Sequence, residues 1–250
     1  MFGPWTPLIS LVAALLALLL VKRWVTNSLA ELSWRWAGDQ DLALVLYFVI
    51  VLPGVAIHEL SHWLMAKGLG VRVSKLSLGP RRRGRAKRVS LGSVRVGKVD
   101  PVRASLIGLA PLFGGTIAIL LIGYLVLDVA QVVEFMAGRG MGGFFEALGE
   151  LLRVPDSWLW LYLIFAISNA MLPSDSDMES VRPVLIFLAL LAAAILVVGG
   201  LPSIPPDVVQ WVNTVAGYLA TAFGLTLVVD LMFMIVIVLL LWGTRWLQDG

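Results

Sequence analysis

Long apolar runs set the first limit on what this chain can fold into. Apolar side chains dominate residues 8–21, 42–66, 105–129, 158–171, 183–198 and 208–242. About twenty such residues cross a bilayer as a helix. In lipid a helix is also one of the few forms that satisfy every backbone polar group internally. Of 250 residues, 59% are hydrophobic and only 14% are charged, against roughly 25% charged in a soluble domain. Mean hydropathy is +0.92. A water-soluble globule, a disordered chain and a coiled coil are excluded on these grounds. The absence of cysteine excludes disulfides, thiolate nucleophiles and cysteine-held zinc.

The reading is an all-α polytopic membrane protein, a single membrane domain over 1–250. About six transmembrane helices are expected, with a small cytoplasmic β-hairpin after the second. The helices are placed at 8–25, 42–67, 103–129, 157–172 and 178–199, and an amphipathic lead-in plus a final helix at 206–245. The first run has no basic residue before it, so it reads as a retained helix and not a cleaved signal. For the last run, one crossing from about Leu225 is the first choice and two short passes broken at Gly224 the second. Tryptophans such as Trp5, Trp24, Trp158, Trp160, Trp242 and Trp246 lie near the run ends, where a membrane protein places its interfacial belt.

Twelve of the 19 Lys and Arg residues fall between Lys67 and Arg103. The positive-inside rule puts the loop 67–103 in the cytoplasm of a multi-pass cell-membrane protein. Within it, 71–73, 76–78, 89–91 and 94–96 alternate apolar and polar residues. Two strands over 70–100, with matched bulges and a turn at 79–88, fit that alternation. The arginines of 81–88 read as a topology signal and a contact for anionic lipid. No aromatic residues interleave with them, which argues against a nucleic-acid partner.

Both histidines of the chain lie in His58-Glu59-Leu60-Ser61-His62, an HExxH motif. Positions i and i+4 share a helix face, so both imidazoles can bind one zinc ion. Glu59 is then placed as the base that takes a proton from water. Ionisable groups inside an apolar helix each cost roughly 2.5–3.5 kcal/mol on insertion scales, and a metal offsets that cost. From Leu42 to His58 is about 24 Å of helix, which sets the histidines just inside the cytoplasmic edge of a ~30 Å apolar layer. A catalytic zinc takes a third protein ligand. With no histidine left, that ligand is a carboxylate. Asp175, Asp177 and Glu179, at the end of the fourth run, are the candidates; helix capping by Ser174, Asp175 or Asp177 is the alternative use of this stretch.

With these residues in view, the chain resembles the site-2 protease family of intramembrane zinc metalloproteases. That family carries HExxH on one core helix and an aspartate ligand two core helices later, in the pattern Asn-x-x-Pro-x-x-x-x-Asp-Gly. Here Asn169 stands eight residues before Asp177, as in the family. The proline comes one residue late, at Pro173, Met178 replaces the glycine, and Asp175 is additional. The resemblance runs from about Leu42 to Asp177 and includes Ala110-Pro111-Leu112-Phe113-Gly114-Gly115. It implies one Zn2+ held by His58, His62 and Asp177, with Asp175 in reserve. It further implies Glu59 as general base and Asn169 as holder of the oxyanion. The substrates it implies are transmembrane proteins or peptides, unwound to a strand that pairs with the hairpin at 71–96. The residues also admit a zinc-binding scaffold without proteolysis and a small transporter. Asp230, alone in the last run, reads as a partner to a polar group on a neighbouring helix.

Overall fold

The computed structural model describes residues 6–73, 75–83, 88–129, 149–199 and 205–249. Residues 84–87 of the turn expected at 79–88 lie outside them, as does the glycine-rich stretch around Arg139. Helices α1 (Thr6–Ala37) and α2 (Gln40–Gly68) are followed by strands β1 (Ser77–Arg83) and β2 (Arg88–Ser93). Then come α3 (Pro101–Leu125), α4 (Ser157–Met171), α5 (Asp175–Gly199) and α6 (Pro206–Asp249). Four helices (α1, α2, α3 and α6) are long and apolar enough to cross a membrane. The pair α4 and α5, bent by 57°, makes a fifth candidate if counted as one span. This is the architecture of a multi-pass helical membrane protein.

The first helix does not end at residue 25, as expected, but runs to Ala37. Val25, Ser28, Leu29, Leu32 and Ser33 continue its buried face at helical spacing. Lys22 is tolerated mid-helix because its ammonium finds a carbonyl acceptor inside the protein, at Leu172. Gly38, at φ +66°, supplies the left-handed turn that ends α1. Asp39 then caps α2, accepting from the N–H groups of Asp41 and Leu42 at 2.9 and 3.0 Å. Asp100 caps α3 in the same way, through the N–H of Arg103 at 3.0 Å, which holds its carboxyl below the usual aspartate range. The last region is one unbroken helix through Gly224. Two short passes are therefore ruled out.

The hairpin also differs from expectation. Pairing continues past residue 79, from Ser77↔Ser93 to Arg83↔Arg88, with an outlying bridge Val73↔Val96. Its register shift lies between Leu78 and Arg81, not at two matched positions. Gly79 at φ +140° and Pro80, which has no N–H to give, account for a bulge there.

The site rests on α2, α3 and α4. Helices α2 and α4 run side by side in the same direction, matched turn for turn. Tyr162 donates to the Ile50 carbonyl at 2.9 Å, and His58 bonds the Ala170 carbonyl at 2.8 Å. Between these two levels, a Cβ on Gly54 would overlap the Ala166 carbonyl. Steps of four on each helix keep the contacts on one face. Helix α3 crosses both through Gly114 and Gly115, where a Cβ would strike Ser61 and Met171 respectively; close packing is the use of that glycine pair. Ile164, Phe165, Val51, Ile119 and Val229 fill the shared core, with Phe165 stacked on Phe233 at 4.3 Å.

Candidate metal centre

His58 and His62 project from α2 toward different neighbours. His58 Nδ1 lies 2.8 Å from the carbonyl oxygen of Ala170 on α4. His62 Nδ1 lies 2.8 Å from that of Ile107 on α3. Both carbonyls lack a helical donor, for reasons written in the sequence. Ala170 sits in the last turn of α4, where carbonyls have no N–H four residues on. Ile107 would be served by the N–H of residue 111, which is a proline.

A carbonyl oxygen can only accept, so each Nδ1 carries its ring's hydrogen. Each Nε2 of a neutral imidazole then presents a lone pair. The two Nε2 atoms stand 3.1 Å apart. Asp177 adds Oδ1 at 3.3 Å from His62 Nε2 and Oδ2 at 3.6 Å from His58 Nε2. With both rings neutral, four lone-pair atoms converge: the two Nε2 atoms and the two carboxylate oxygens of Asp177. A proton on His62 Nε2 would serve its contact to Asp177 and leave His58 Nε2 facing the same group. One divalent cation could be held by His58, His62 and Asp177, since one ligand atom from each residue lies within 4.8 Å of the others. Imidazole and carboxylate are a donor set that zinc accepts. Carbonyls on the far ring nitrogens are the usual outer support of such ligands.

Asp177 is delivered by the break between α4 and α5. Leu172 leaves the helix in extended geometry, as a residue before proline must. Ser174 then turns back and donates to Asp177 Oδ2 from its N–H at 2.7 Å and its hydroxyl at 2.6 Å. Asp175 and Glu179 are exposed and stand outside the cluster. Ser105 donates to the Ser180 carbonyl at 2.7 Å and Ser180 to that of Ala104 at 3.2 Å, which locks α3 to α5 just behind Asp177.

A cavity of about 610 Å³ opens on the cluster. Its walls come from α2 with Glu59, from 91–94 around β2, from the start of α3 and from the α4–α5 turn. Glu59 is buried at 7% exposure and touches β2: a Cβ on Gly92 would stand 2.6 Å from its Oε1. The structure thus brings together His58, His62, Asp177 and Glu59. Asn169 is not in the cavity wall. Its amide donates to the Phe165 carbonyl at 2.8 Å and to Asp230 Oδ1 at 3.3 Å. Ser168 joins the same carboxylate oxygen at 2.8 Å. Asp230 is therefore the partner of polar groups on a neighbouring helix.

Sequence reasoning missed two contributors. Lys22, close to the expected end of the first helix, lines the cavity. Pro111, read as part of a family segment, frees the carbonyl that orients His62. The spacing of Pro111 from Ile107 was visible, but which histidine would meet that carbonyl was not. Neither family models, curated proteins nor solved structures give a match to this chain.

Proposed function

We propose that the chain is an intramembrane zinc metalloprotease of the site-2 protease type, cutting peptide bonds of membrane-embedded proteins near the cytoplasmic side. The observation that carries this reading is the convergence of two bare imidazole nitrogens and a carboxylate beside a buried glutamate. A purely structural ion site has no use for that glutamate. His58, His62 and Asp177 would hold the ion. When bound, zinc supplies Lewis acidity that polarises a peptide carbonyl and brings the pKa of water toward about 7. Glu59 takes the proton from the attacking water on its carboxylate and passes it to the leaving amine nitrogen. The cavity wall at β2 offers strand backbone to an extended peptide, so an unwound segment of substrate would lie across Glu59. Asn169 donates to Asp230, so the oxyanion role is not carried into this mechanism. The basic loop 67–103 faces the cytoplasm and the anionic lipid there.

The test is incubation of the purified chain with single-span membrane proteins, with and without a zinc chelator. Cleavage that stops with the chelator and returns with zinc supports the reading. A chain that binds zinc and never cuts is a scaffold instead.

A further inference from the structure

Lys22 sits midway along α1, far in sequence from everything else in the metal centre. Among the described residues it is the one lysine or arginine in the cavity wall. A half-buried ammonium among apolar helices is costly unless its hydrogens are accepted. Its Nζ donates to the Leu172 carbonyl at 3.1 Å, across 150 residues of chain. That carbonyl lies just past the end of α4, so no helical N–H competes for it. Two residues later, Ser174 grips Asp177 Oδ2 through both its N–H and its hydroxyl. A continuous line of bonds therefore joins α1 to the third ligand.

We infer that Lys22 is a positioning residue: it fixes the 172–174 turn so that Asp177 is presented to the metal at the distance the two histidines require. This rests on the metal reading above. A competing effect has the opposite sign. A cation beside a dication repels it, so a lysine that acted only through charge would weaken metal binding, and its removal would tighten it. Positioning makes removal weaken it.

The measurement is zinc affinity of the full-length protein in detergent, by competition with a chelator of known affinity. Lys22→Met should bind zinc roughly 10- to 100-fold more weakly, the usual loss when an outer support of a ligand is removed. Lys22→Arg, which keeps a donor and the charge, should stay within a few-fold of wild type. In the Asp177→Ala background, Lys22→Met should cost nothing further, since the arm it holds no longer carries a ligand. If Lys22→Met does not fold, Lys22→Gln, too short to reach Leu172, is read in the same way. Unchanged or tighter binding in Lys22→Met, or an equal loss with Asp177 absent, overturns the inference. Wild-type protein that binds no zinc overturns the metal reading with it.

Discussion

His62 Nδ1 bonds the Ile107 carbonyl at 2.8 Å because Pro111, four residues on, has no N–H to offer it. The proline in α3 thus shapes the candidate metal centre through the carbonyl it leaves without a helical donor. Pro111→Ala would restore the helical donor and make it compete with the imidazole. Zinc affinity should fall roughly 10-fold or more, and the fraction of His62 protonated at Nε2 should rise in nitrogen NMR. Wild-type affinity in that variant would show that the ring is held by other means.

Glu59 is next to a ligand yet offers no atom to the candidate metal group. Glu59→Gln should keep one zinc per chain and lose cleavage by on the order of 10²- to 10⁴-fold, the worth of a general acid–base. Paired zinc analysis and cleavage assays on one preparation check both halves.

Asn169 is engaged with Asp230, so Asn169→Ala should act on stability more than on chemistry. The buried Asp230 loses one of its two side-chain donors, a change of about 1–3 kcal/mol. Cleavage should fall by less than the roughly 10²- to 10³-fold that loss of an oxyanion donor costs. Thermal melting and kcat, measured together, separate the two roles.

Gly54 and Gly217 are both helical glycines in very different company. A Cβ on Gly54 runs into the Ala166 carbonyl, while one on Gly217 meets nothing within 4 Å. Gly54→Leu should cost at least about 1–3 kcal/mol by overpacking and draw α4, with the Ala170 carbonyl, away from His58. Gly217→Ala should be neutral or stabilising by up to about 1 kcal/mol. Melting curves in one detergent give the contrast.

The apolar runs and the paired histidines made the helical class and the heart of the site legible in the sequence. Those signals are local: a run of about twenty apolar residues, or two ligands one turn apart, needs no knowledge of neighbours. What stayed hidden depends on who meets whom. Lys22 reads as the end of a helix because a charge mid-membrane is costly, and only the Leu172 carbonyl, 150 residues away, removes that reason. Asp175 and Asp177 are equivalent in composition. The Ser174 turn sends one toward the histidines and leaves the other exposed. Asn169 matched a spacing, but Asp230 on α6 takes its amide, and no feature of the 169–177 stretch announces that partner.

The most direct measurement is the zinc content and coordination of the purified chain, by elemental analysis and X-ray absorption. One zinc per chain is expected, with two imidazole nitrogens and a carboxylate oxygen around it. It should be lost in His58→Ala and His62→Ala, bind measurably more weakly in Asp177→Ala, and be kept in Asp175→Ala. A chain that takes up no zinc, or one that keeps it after both histidines are replaced, contradicts the centre described for His58, His62 and Asp177.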